Sequence, residues 1–526
     1  MKRVLSGFAL ATALATSAPA FADEPRPSEG DLFGAPQTET PASESSTPAA
    51  QAPAQSNEQS RDNLMLGDAN AATVFSADTA PPDPLTIGGL IYLRSQSSAR
   101  QGQSPHDWSF STPTLVDGYF DARPNDRVRG FLLARLSYDP TLPQTANEGT
   151  VNGQVAGTGS SQGSPSLSSL FQQQTRAPRV IIDQLWLRFD IKHRVFVTAG
   201  KQHVRWGTAR FWAPGDFLHI RRRNPLDVFD ARAGTTMLKL HMPVESKGWN
   251  FYAYALTEGA GPTTTVGTLA GAARAEFVLG QSELGLGGLL QEGRKPKTQA
   301  DFSIGIGPFD LYGEVAIRYG SEVDRVRYDE NATLPMTTDR PPWQSEADWR
   351  SQNLSAAVQT LFPSYRKNGV QPQTVGGLTY SLQYADKDVL TLGAEYFYNP
   401  LGYDTPKAYP GLVLPRTAVL ADPATFFFLG RHYAALFASL PAPFNLDLHT
   451  FTVSTIGNLS DQSFISRFDY AYTLLTHMRL EAFASVRYGR EQGEFRFGTS
   501  GINVGTQTFS LKPSLFDLGV ALRVSI

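Results

Sequence analysis

Residues two apart agree in character along most of this chain, and that regularity decides what it can fold into. Near the end Leu518, Val520, Leu522, Val524 and Ile526 alternate with Asp517, Gly519, Ala521, Arg523 and Ser525. Successive side chains of a β-strand point to opposite faces, so such a segment has one greasy face and one polar or small face. The same pattern predicts about 18 strands: 85–94, 114–123, 126–138, 179–191, 194–203, 235–242, 247–257, 267–279, 282–292, 298–307, 309–319, 374–386, 388–398, 425–439, 444–456, 462–474, 477–491 and 512–526. A count of 16 is the variant that the weaker segments leave open. Every long gap follows an odd-numbered strand: 95–113, 139–178, 204–234, 320–373, 399–424 and 492–511. Gaps after even-numbered strands are short.

A soluble sandwich has no reason to sort its loops by parity. An up-and-down antiparallel barrel in a membrane does, because tight turns lie on one side and long loops on the other. An even count returns the chain to the side where it began. The face opposite the apolar one carries Arg127, Arg129, Arg135, Arg188, Arg318, Arg479, Arg487 and Arg523, with Glu314, Glu395, Glu481, Asp469 and Asp517. That is too much charge for a packed core. The apolar face is therefore expected to meet lipid, and the charged one to line a wet lumen. Tyr138, Tyr319, Tyr398 and Tyr488 stand near strand ends, where interfacial aromatics belong.

Composition agrees. A formal net charge of −3 argues against a nucleic-acid partner. The chain has no cysteine, so it holds no disulfide, thiolate metal site or thiol nucleophile. No run of 18 apolar residues offers a spanning helix. The first 22 residues read as a signal peptide: Lys2 and Arg3, an apolar stretch, then Ala20-Phe21-Ala22 before the expected cleavage. Residues 23–84 read as a disordered periplasmic linker rich in Pro, Ala, Ser and Thr, and 85–526 as the barrel.

The densest chemistry lies in 204–234, which holds Arg205, Arg210, Asp216, Arg221, Arg222, Arg223, Asp227, Asp230 and Arg232 beside Trp206, Trp212 and His219. One reading folds this loop inward, where facing Arg and Asp narrow the pore and set a transverse field. The other is a surface loop held by Arg–Asp pairs. The wall residues Arg127, Arg129, Arg135, Arg188, Glu314, Arg318, Glu395, Arg479, Glu481 and Arg487 either line a path for anions or pair off to stiffen the wall. Signals for an enzyme are weak. Gly159-Ser160-Ser161-Gln162-Gly163 fits a nucleophile pattern but lacks its strand-to-helix elbow. The eight histidines form no metal pair, and no cofactor is expected.

Two motifs carry a family resemblance. The C-terminal strand resembles the assembly signal of bacterial outer-membrane barrels, although Ile526 stands where those chains end in an aromatic residue. Gly200-Lys201-Gln202-His203-Val204-Arg205-Trp206-Gly207, followed by Asn224-Pro225-Leu226-Asp227, resembles a strand-end motif of large Gram-negative porin-like barrels. The resemblance implies passage of small hydrophilic solutes through the outer membrane, without catalysis. It also implies contact with outer-membrane lipid and lipopolysaccharide, and recognition of the C-terminal strand by the barrel-assembly machinery. Export of a polysaccharide or other polymer, or an outer-membrane enzyme, is the alternative.

Overall fold

The fold comes from a computed structural model, which describes residues 84–141, 178–219, 222–226, 232–257, 269–321, 324–332, 356–384, 388–413, 427–504 and 507–526. The expected signal peptide, all of the linker before Pro84 and the Gly159–Gly163 segment lie outside them. Eighteen strands form one closed antiparallel barrel, in sequence order. They are β1 (Leu85–Arg100), β2 (Thr114–Asn125), β3 (Val128–Tyr138), β4 (Arg179–Ile191), β5 (Val195–Gln202) and β6 (Thr235–Val244). Then come β7 (Trp249–Leu256), β8 (Ala270–Leu279), β9 (Ser282–Gln291), β10 (Lys297–Ile306), β11 (Phe309–Tyr319) and β12 (Val370–Gln383). The last six are β13 (Val389–Tyr398), β14 (His432–Pro441), β15 (His449–Asn458), β16 (Ser463–Leu475), β17 (Met478–Gly489) and β18 (Ser514–Ser525). The seam joins the ends of the chain: β1 pairs with β18 from Leu90↔Ser525 to Arg100↔Ser514.

Two boundaries differ instructively from the sequence reading. β1 runs to Arg100 rather than 94. Its extension Ser95-Gln96-Ser97-Ser98 has no apolar alternation, yet Ser95 pairs with Val520 and Gln96 with Ser111 of a short returning strand. Ladder hydrogen bonds, not side-chain patterning, hold it. Conversely, 425–431 reads as the start of a strand, but β14 begins at His432. Phe427 adopts a φ of 67°, and it packs on Phe495 rather than joining the sheet.

The faces are inverted relative to a soluble barrel. Leu85, Ile87, Leu185, Leu187, Leu290, Leu436, Val453, Leu480 and Val520 are exposed on the outer surface, whereas Asp117, Arg135, Arg274, Asp301, Glu314, Gln373, Glu395, Arg467 and Arg523 are buried within. Aromatic pairs gather at both rims. Phe309–Tyr380 at 4.9 Å and Trp249–Phe277 at 5.2 Å lie at the short-turn end, and Phe464–Tyr488 at 5.4 Å at the long-loop end. Phe309 and Tyr319 bracket β11. Ten residues of strand span about 34 Å, or about 25 Å along the normal at a tilt of roughly 40°, which is the height of a membrane barrel's apolar band. The chain is a transmembrane β-barrel.

Candidate functional site: a loop folded into a charged lumen

After β5 the chain turns into the barrel instead of out of it. Trp206 is fully buried, 5.6 Å from Tyr254 of β7 and 6.4 Å from Phe217, in a cluster with Ala272, Leu289 and Ala316. A few residues on, Trp212 stacks on Phe397 of β13 and lies against Tyr433 of β14, both at 5.5 Å. Phe211 meets Phe437 at 5.9 Å. The indole N–H of Trp212 donates to the Phe427 carbonyl at 2.9 Å. One short segment thus packs against two neighbouring parts of the wall, which meet at β11 through Ala316 and Tyr312. Burying a side chain of this size stabilises by about 2–3 kcal/mol, and here several act together.

Two inward carboxylates hold its backbone. Glu395 of β13 accepts the N–H groups of Arg210 at 2.8 Å, Phe211 at 3.1 Å and Trp212 at 2.9 Å, and the Tyr312 hydroxyl at 2.9 Å. Glu314 of β11 accepts the Gly215 N–H. Its carboxylate occupies the space where a Cβ on Gly207 would sit, and Gly207 has a φ of 95°, so the Trp-Gly pair of the motif has a steric reason. Loop donors left inside the barrel without such acceptors would each cost about 1–3 kcal/mol.

The charged residues of the loop find partners close by. Asp216 pairs with Arg232 at 2.9 Å and with the His219 ring at 3.0 Å. Burial pushes the Asp216 carboxyl up, but His219 and Arg232 outweigh it and hold it below the usual carboxylate range. Arg205 donates to the Ala209 carbonyl. Arg210 lies over Phe437 at 4.2 Å, Arg222 over Phe428 at 4.3 Å, and Arg223 is partly buried after it. Arg221, Asp227 and Asp230 lie outside the described residues. A bulge between β3 and β4 turns Asp183 inward, where it meets His203 at 3.1 Å and Arg135 at 3.4 Å. His203 stacks on His219 at 5.7 Å, tying the loop's start to its middle.

The wall divides into two arcs. Against the loop, Phe397, Tyr433, Ala316 and Ile456 have no exposure. On β16–β18 and β1–β4 the inward charges keep some contact with solvent: Asp121 13%, Arg129 14%, Arg479 25%, Glu481 13%, Arg487 13% and Asp517 17% exposed. These are the paired residues. Arg129 contacts Asp121 at 2.8 Å, Arg135 contacts Asp117 at 2.9 Å, Arg487 contacts Asp517 at 2.6 Å, and Arg479 contacts Glu481 at 3.8 Å. Arg523 shares Glu481 at 4.0 Å, and Arg467 contacts Asp469 at 2.6 Å. Water reaches this arc, whereas the wall residues directly beneath the loop are dry.

Four expected wall residues sit differently. Arg127 is exposed in the β2–β3 turn, with its guanidinium toward His193, because the strand ends at Asn125 and its side chain caps the turn. Glu314 and Glu395 face inward as expected but lie beneath the loop, as its anchors. Arg318 also serves the loop, donating to the Pro214 carbonyl at 3.3 Å and lying over Phe217 at 5.2 Å. Arg188 covers Phe196 at 4.7 Å. Tyr312, Tyr433, Phe397 and Asp183 were not singled out in the sequence. Parity marked Tyr312, Phe397 and Tyr433 inward and Asp183 outward, until the bulge reverses it, and nothing local marked any of them as contacts of a loop.

These features define a class: a closed membrane barrel with a loop docked inside a lumen of paired charges. No family model and no curated protein matches the chain. Among solved structures it is similar to OccK8 (OprE) of Pseudomonas aeruginosa, with a TM-score of 0.46 and 8% identity over 84% of this chain and 98% of that one. It is similar to OccK1 (OpdK) of the same organism, with a TM-score of 0.44 and 10% identity over 84% and 98%. It is also similar to OccAB4 of Acinetobacter baumannii, with a TM-score of 0.43 and 9% identity over 84% and 98%.

Proposed function

We propose that this chain is a passive channel of the Gram-negative outer membrane for small hydrophilic solutes. Its pore is narrowed by the inward loop 204–234. The observation that carries the reading is the inversion of faces, with lipid-compatible side chains outside and partly hydrated ion pairs inside one arc of the wall. A packed soluble core does not place Arg129, Arg479 and Arg487 where water reaches them. Solutes pass along β16–β18 and β1–β4, between the Arg–carboxylate pairs and the free face of the loop. Arg205, Arg210, Asp216, Arg221, Arg222, Arg223, Asp227, Asp230 and Arg232 form the constriction. Arginines and carboxylates together there would set a transverse field that orients dipolar solutes. The outer belt takes lipid and lipopolysaccharide, and β18 is the strand that the barrel-assembly machinery would engage.

The test is conductance of the purified protein in planar bilayers, with reversal potentials in asymmetric salt. Steady ohmic steps are expected. An Arg221/Arg222/Arg223 triple alanine variant is expected to shift the anion-to-cation ratio toward cations. An unchanged ratio removes these arginines from the constriction, and a silent bilayer refutes the channel.

A further inference from the structure

At the long-loop end, directly above Trp212, three loops meet on two buried acids. Glu494, from the loop between β17 and β18, and Asp461, from the loop between β15 and β16, have no exposure. Glu494 accepts the Tyr433 hydroxyl at 2.6 Å and the Asn458 amide at 2.9 Å. Asp461 accepts the Tyr409 hydroxyl at 2.9 Å, the same Asn458 amide at 2.8 Å, the Glu494 N–H at 2.8 Å and the Ser463 hydroxyl at 2.6 Å. One amide nitrogen therefore bridges the two carboxyl groups. The groups facing Glu494 are Asp461, Tyr433 and Tyr409, together with Asn458 and the Leu429 N–H. Of the cations of these loops, Arg431 contacts Asp404 at 2.8 Å, Arg496 contacts Glu491 at 3.3 Å, and Lys407 contacts Glu330 and lies near Arg490.

Two carboxylates in one dry site, with no cation in contact among the described residues, cannot both be charged without a large cost. The site is also mechanically placed. Tyr409, Leu429 and Phe497 form one small core over it. Phe427 and Phe495, next in chain to that core and to Glu494, pack on the cluster that holds Trp212.

We propose that Glu494 and Asp461 form a proton-operated latch. With a proton on the pair, segments 399–413, 427–431 and 490–498 are clamped over the inward loop. Loss of that proton puts two like charges in the buried site and lets the clamp go. Burial and the Asp461 charge push the Glu494 carboxyl up to about 8, and burial also raises Asp461. A raised carboxyl favours the docked state most fully below the free value near 4.5, and this advantage is lost as pH rises toward 8. Acid clamps the loops and mild alkali frees them. That the clamp controls solute entry rests on the channel reading above; the clamp itself does not.

The experiment uses the full chain in lipid nanodiscs. Hydrogen exchange of 427–431 and 490–498, corrected for intrinsic exchange, is followed from pH 5 to pH 9. Protection is expected to fall by up to about tenfold per pH unit within the window, levelling near pH 8. The Glu494→Gln variant, checked for folding by heat-modifiable gel mobility, is expected to stay protected throughout. Should it not fold, Asp461→Asn is expected to keep the clamp closed by a further pH unit or more. A flat wild-type profile, or a wild-type profile in the folded Glu494→Gln protein, overturns the latch. Bilayer recordings on the same samples separate the two readings: silence with an intact exchange profile refutes the channel and leaves the latch standing.

Discussion

Replacing Glu395 by glutamine is the sharpest perturbation of the inward loop, because it changes charge and hydrogen-bond polarity but hardly volume. The carboxylate takes three backbone N–H groups and the Tyr312 hydroxyl, four donors on two oxygens. Only an acceptor-only group suits them. An amide retains one oxygen and turns a donor –NH2 toward the remaining N–H groups. Hydrogen bonds to a charged partner contribute about 1.5–3 kcal/mol each, and two of the four are lost or made repulsive, so docking weakens by about 3–6 kcal/mol. The barrel ladder is untouched, and Trp206 and Trp212 still favour the interior. The Glu395→Gln protein is therefore expected to assemble normally but to visit an undocked, wider state more often. At about 1.4 kcal/mol per factor of ten, the rise is roughly a hundredfold to twenty-thousandfold. Single-channel recording would show this as a new large-conductance level, and liposome swelling would admit larger sugars. If the variant folds and its conductance levels, dwell times and size cut-off match the wild type, Glu395 does not hold the loop and the constriction argument loses its anchor.

The Asp216 carboxyl lies below its usual value, so its contribution to loop docking is present above about pH 4 and disappears as pH falls through the lowered folded value. Asp216→Asn is expected to remove this acid limb of the conductance–pH profile and to weaken docking at neutral pH. Leu185, 50% exposed near the middle of β4, is expected to face the bilayer midplane. Leu185→Arg should then cost about 2–4 kcal/mol in the lipid-inserted fold, read as a lower folded fraction on heat-modifiability gels. Phe444 is 91% exposed in a short-turn-side connection with a φ of 54°. Phe444→Gly is expected to relieve that left-handed backbone and raise the urea midpoint by about 0.5–1 kcal/mol in free-energy terms.

The eighteen strands were legible from alternation and from the short or long gap behind each, and inward charge marked many of them. The inward direction of Arg129, Arg135, Arg479 and Arg487 followed from parity alone. What parity conceals is which inward residue meets water and which meets another segment. Glu314 and Arg487 look alike in sequence, yet one lies under the loop and the other beside solvent. The difference is made by Trp206 and Trp212, whose partners Tyr254, Phe397 and Tyr433 come from strands far along the chain. Arg127 misled because it continues the alternation of β3 across a turn whose geometry is set by Asn125. The 427–431 segment misled because a run of phenylalanines suits a strand as well as a plug. Nothing in the sequence marks Asp461 and Glu494 as neighbours, since 33 positions and a complete hairpin separate them.

The seam between β1 and β18 has a kinetic meaning. Every other ladder of the wall joins strands adjacent in sequence, so hairpins can register one after another as the polypeptide arrives. The closing ladder instead joins segments more than 400 residues apart, as in the pairing of Leu90 with Ser525. Until Ser514–Ser525 arrives, β1 and β17 are open edges with unpaired backbone groups, each able to recruit a stranger. Sealing is thus the last ladder that can form, and until then both margins stay open to pairing with another chain.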